Sequence, residues 1–148
     1  MIVSGNDIKR LIPQRHPFIM IDTLEEQGDS NSAVTTLAVR QDNYFTLPDG
    51  TLAATGIIEH IAQSCSALKG LSVCFPADAS ASEPERPAPI GLIGEVKHFV
   101  CHRRPHSGEL LRTTITFGLS FGNVTLASGQ SHVGDELIAE AQLKIFMQ

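Results

Sequence analysis

Residues 56–70, GIIEHIAQSCSALKG, place Ile57, Ile58, Ile61, Ala62, Cys65 and Leu68 at a helical spacing that covers more than one face. A helix that is apolar on most sides has to be enclosed by other elements, and this limits the fold more than any other stretch of the chain. The helix is expected over residues 52–74, with Asp49 or Thr51 as its candidate cap. Glu59 and His60 sit within it, and an ionisable group placed there needs a partner or a task.

The flanking segments supply an enclosure. SGNDIKRLI predicts a short helix that ends at Pro13, PFIMIDTLEE a buried strand, and AVTTLAVR a second strand paired to it across the loop QGDSNS. QDNYFTLPDGT reads as a loop, and PADASASEPERPAP, residues 76–89, as a mobile surface loop within one domain. Beyond it come IGLIGEVKHFVCH, ELLRTTITFGLSFG, NVTLASGQSHV and ELIAEAQLKIFMQ, divided by short Gly-containing turns, a pattern that predicts an antiparallel meander. The order predicts one α+β domain over residues 1–148, an antiparallel sheet wrapped around one long central helix. A chain of 148 residues can bury such a core without disulfides or metal.

Charge and cysteine content narrow the partners. The formal net charge is −5 and basic residues cluster no further than adjacent pairs such as Arg103-Arg104, so neither nucleic acid nor an anionic membrane is expected as the main partner. Three cysteines with no C-x-x-C spacing fit reduced thiols in a cytoplasmic protein. MIVSGNDIKRLIPQ has no apolar run long enough for a signal peptide or membrane span.

Three blocks, LIPQRHPFIMID at 11–22, GIIEHIAQ at 56–63, and GLIGEVKHF followed by PHSGELL, resemble in order and spacing those of the hot-dog-fold 3-hydroxyacyl-acyl-carrier-protein dehydratases. The resemblance implies a hot-dog fold, a dimer with its site at the subunit interface, and an acyl-carrier-protein or coenzyme A thioester as substrate, with no cofactor. Glu59 matches the family's catalytic acid and Gln63 the glutamine one turn later, while Gly91, Gly94 and Lys97 fall where the family's strand borders the acyl tunnel. Amides near Gly56 would polarise the thioester carbonyl.

The departure concerns the base. Active members carry a His-Phe-Pro loop ahead of the acid, whose histidine removes the α-proton. Here no histidine lies between His16 and His60. His60 is turned about 100° from Glu59 on the helix and is expected in packing or a dimer contact, which leaves His16 as the other stand-in. Three readings stay open: a dehydratase-like homodimer, a thioesterase of the same fold that uses Glu59, and a non-catalytic acyl-binding subunit paired with an active dehydratase. Arg15 and Arg103-Arg104 are candidates for a pantetheine phosphate or an acidic carrier surface. His98, His102 and His106 recur every four residues, but strand geometry sets the first two about 13 Å apart, and no metal site is expected.

Overall fold

The computed structural model describes residues 2–28, 31–74 and 91–147. Strand β1 (Ile2–Ser4) leads into a 3-10 helix (Gly5–Arg10), followed by β2 (Thr23–Glu26), β3 (Ser32–Ala38) and helix α1 (Ala54–Cys74). Four long strands follow: β4 (Gly91–Cys101), β5 (Leu110–Phe121), β6 (Val124–Val133) and β7 (Glu136–Met147). All seven join one antiparallel sheet in the order β1-β2-β3-β5-β6-β7-β4. The sheet wraps α1, and the architecture is the α+β hot-dog arrangement.

Alternation along the strands decides which side meets the helix. In β5, Leu111, Thr113 and Ile115 are buried while Arg112, Thr114 and Thr116 are exposed, the period of two that a sheet with one covered face imposes. In β6 the inward residues Ala127, Gly129 and Ser131 are small, so α1 can lie close against it. From Gly56 to Leu71 the only residues of α1 that are not fully buried are Ile58, Glu59 and Lys69. Ile57, Ile61, Cys65 and Leu68 are each at most 2% exposed and belong to the same core as Leu24, Leu37, Leu111, Ile115 and Leu143.

Three expectations change. β5, β6 and β7 form the meander, but β4 does not pair with β5. It crosses to the far edge and pairs with β7, so that β3 takes the place beside β5. The buried strand expected over PFIMIDTLEE is regular only from Thr23, because Met20 gives its N–H to a helix side chain instead of to a strand. Asp49 does not cap α1, for its carboxylate accepts from the N–H and hydroxyl of Thr51 (2.9 and 2.7 Å). The expected loop at 76–89 lies outside the described residues. No helix among the described residues is long and apolar enough to cross a membrane.

Candidate active site around Glu59

Four residues along a helix return a side chain to nearly the same face, and Glu59 and Gln63 meet in that way. Gln63 is 1% exposed, and its carboxamide is fully engaged. Its Oε1 accepts from Met20 N–H (2.7 Å), while Nε2 donates to the carbonyl of Phe18 (2.7 Å) and to Oε1 of Glu59 (2.8 Å). An N–H only donates and a carbonyl only accepts, so the backbone of residues 18–20 fixes which way the amide points. Glu59, only partly buried, therefore has one carboxylate oxygen held and Oε2 left for another group.

His60 faces the core instead. It is 0% exposed, with Nδ1 2.6 Å from the Met20 carbonyl and Nε2 2.8 Å from the Thr113 hydroxyl. The carbonyl requires the proton on Nδ1, so Nε2 accepts from Thr113, whose own oxygen accepts from Ser131 (2.6 Å). Burial pushes the imidazole down to about 4, against the opposing pull of the Met20 carbonyl and the negative Asp22. Ser64, also buried, donates to the His60 carbonyl and meets Thr35 at 2.7 Å. Thr113 and Ser131 could have been singled out from sequence, since they fall on inward positions of strands that are otherwise apolar or small there. The Met20 and Phe18 backbone groups carry no such signal.

At the start of α1, Gly56 is buried, and a Cβ there would meet Cβ of Phe45 at 2.7 Å. The N–H groups of Gly56 and Ile57 both turn back to the carbonyl of Ala53 (2.9 and 3.2 Å), and Ala54 and Thr55 head the helix. The loop ahead of the helix carries Tyr44 and Phe45, and Tyr44 stacks edge-on with Phe18 and Phe45 at centroid distances of 4.9 and 5.2 Å. His16 is exposed in the turn before Phe18.

The β4 candidates lie elsewhere. Gly91 opens β4 opposite Met147. Gly94 stands at a register shift, and its missing side chain makes room for the Phe146 ring. Lys97 is in register with Gln142, Ser128 and Thr116 across four strands, on the sheet face turned away from α1. There it lines a groove of about 670 Å³ together with Leu126 and Lys144. The fold thus brings together Glu59, Gln63, His60 and the first turn with Gly56, and leaves Lys97 across the sheet.

The basic candidates are engaged locally. Arg103 binds Glu109 and Glu136 (2.8 and 3.1 Å), Arg104 binds Asp49 (3.3 Å), and Arg15 donates to the carbonyls of Ile12 and Gln14. Among the described residues no group of three or more His, Cys, Asp or Glu side chains is placed to hold a metal ion.

Residues 6–148 match the ApeP-like family, described as ApeP dehydratase. The chain is 29% identical over 141 residues to 3-hydroxyacyl-[acyl-carrier-protein] dehydratase FabZ of Natranaerobius thermophilus, covering 93% of this chain and 92% of that protein. Its fold is similar to the dehydratase heterocomplex ApeI:P from Xenorhabdus doucetiae (TM-score 0.80, 16% identity, 95% of this chain and 90% of that chain). It also resembles a hypothetical thioesterase with coenzyme A from Streptococcus pneumoniae TIGR4 (TM-score 0.61, 10% identity, 84% of each chain).

Proposed function

The chain belongs to the ApeP-like dehydratase family, and from that premise we propose that it acts in dehydration of 3-hydroxyacyl thioesters as a hot-dog subunit that supplies the acid, Glu59. The observation that carries this reading is the held carboxylate: Gln63, pinned by Phe18 and Met20, fixes Oε1 and leaves Oε2 open. In the forward direction a base removes the α-proton, the bond from the β-carbon to the hydroxyl oxygen breaks, and a proton from Oε2 leaves with that hydroxyl as water. The N–H groups of Ala54 and Thr55, at the positive end of α1, would receive the thioester carbonyl in place of Gly56, whose N–H is already used.

The base comes from outside this network. His60 is neutral with both nitrogens occupied, and the loop ahead of the helix presents Tyr44 and Phe45 instead of an imidazole. A second hot-dog chain that brings its own histidine would complete the site, in keeping with the heterocomplex to which this fold is similar. A homodimer that uses His16 is the other assembly of the same class. The substrate would be carried on acyl-carrier protein or coenzyme A, in a tunnel between two subunits. A single domain spanning the chain and a cytoplasmic setting belong to the same proposal. Cys65 suits that setting: it is buried, and burial alone pushes its thiol up to about 12, where it is inert.

Mixing the protein with candidate hot-dog partners and following hydration of enoyl pantetheine thioesters tests the reading. The mixture should be active, and Glu59→Gln should lower kcat/KM by roughly 100-fold or more. Thiol release lost in that variant would replace the dehydratase with a thioesterase. Hydration by the mixture unaffected by Glu59→Gln would make the chain a non-catalytic subunit.

A further inference from the structure

Met20 is gripped at both ends of its backbone. Gln63 takes its N–H and His60 its carbonyl, at 2.7 and 2.6 Å, and the residue is 0% exposed. Both grips come from one turn of α1. The far side of the imidazole continues through Thr113 to Ser131, so the segment 18–20, the helix, β5 and β6 are joined by one chain of hydrogen bonds.

We propose that His60 is a positioning residue for Glu59: by holding the Met20 carbonyl it fixes the backbone whose N–H orients the Gln63 carboxamide, and through that amide the acid. The inference rests on the reading of Glu59 as the acid. A side-chain amide can turn over by 180°, and its orientation is set by what its two ends meet. Here those are the Met20 N–H at Oε1 and the Phe18 carbonyl at Nε2, so a rotation of the Met20 backbone frees Oε1 and removes one of the two contacts that keep Nε2 aimed at Glu59. Ile57, Ile61, Leu111 and Ile115 of the same core are each 0% exposed, and within that core the side chain at position 60 meets the Met20 carbonyl and the Thr113 hydroxyl. An imidazole at that position costs desolvation, and what it adds is a donor for Met20 at one end and an acceptor for the sheet at the other.

Two variants at the residue separate this role from packing. His60→Leu keeps the volume and removes both hydrogen bonds, whereas His60→Asn keeps a donor near the Nδ1 position. In the full-length protein, His60→Leu should speed exchange of the Met20 amide about tenfold or more and shift the Gln63 side-chain NH2 resonances, while His60→Asn stays near wild type. With partner and enoyl thioester, His60→Leu should lower kcat about tenfold or more with KM within about twofold, as loss of alignment does. It should lower the rate no further once Glu59 is Gln. A folded His60→Leu protein with Met20 protection and Gln63 resonances unchanged, or with lowered stability and an unchanged rate, overturns the proposal. Should His60→Leu not fold, Thr113→Val, which leaves Met20 untouched, should still speed Met20 exchange, and no change there overturns it. If wild type hydrates no thioester with any partner, the acid reading falls, and the grip on Met20 is judged on the Met20 and Gln63 signals alone.

Discussion

Two adjacent residues of α1 show how one position along a helix separates roles. A step of about 100° sends Glu59 to a partly open face and His60 into the core, and their surroundings then define different chemistry. The folded state holds the His60 imidazole neutral, chiefly because burial removes water from the charged form, which places its titration at about 4. The unfolded chain binds that proton first as pH falls below about 6.5. The contribution of this group is therefore complete above that pH and is lost progressively down to about 4, a full span of about 3 kcal/mol. Urea unfolding across this window should show wild type losing stability on acidification more steeply than His60→Asn. Parallel curves for the two proteins would contradict a buried, neutral imidazole.

At the level of elements, α1 is stabilised by enclosure more than by its ends. Asp49 and Thr51, the two candidate caps, are hydrogen-bonded to each other, and the N–H groups of the first turn, Gly56 and Ile57, turn to the Ala53 carbonyl. The apolar contacts around its middle must compensate. Ile61 is 0% exposed and packs toward Gly129 and Ile115 of the sheet. Ile61→Ala should cost about 2–5 kcal/mol, the range for truncating a fully buried aliphatic side chain. The check is a lower denaturation midpoint with an unchanged m-value. A change in m would mean that the helix had separated from the sheet before global unfolding.

The whole molecule leaves its last strand pair unfinished. Val96 of β4 lies opposite Leu143, and so on the helix side of the sheet, yet Val96 is 37% exposed and Leu143 is 2% exposed. The sheet extends beyond what one helix can cover. Val100, also on this edge strand, is 41% exposed. A second hot-dog subunit set against β4, the last strand of the sheet among the described residues, would pair that edge and cover both side chains. Light scattering at micromolar concentration should give a dimer, of two copies or of this chain with a related subunit, and Val96→Glu should shift it toward monomer. A stable wild-type monomer, alone and in every mixture, would remove the shared-tunnel reading.

The sequence determined whatever depends on local period. The all-round apolar run at 56–70 required an enclosed helix, and the structure has it at Ala54–Cys74 against the expected 52–74. Alternation and turn residues located β3 and β5 to β7 within a few residues, and a spacing of four was enough to set Glu59 and Gln63 on one face. Tertiary structure decided what depends on partners far apart in the chain. Whether β4 pairs with β5 or β7 is a choice between surfaces of equal local propensity, and it is settled by how the sheet closes around the helix. The end of the regular strand before Thr23 follows from Gln63 and His60 taking the Met20 backbone across 43 and 40 residues of sequence. No periodicity encodes a hydrogen bond to a backbone atom, because every residue offers the same N–H and carbonyl, and only the folded chain selects which of them a buried side chain meets.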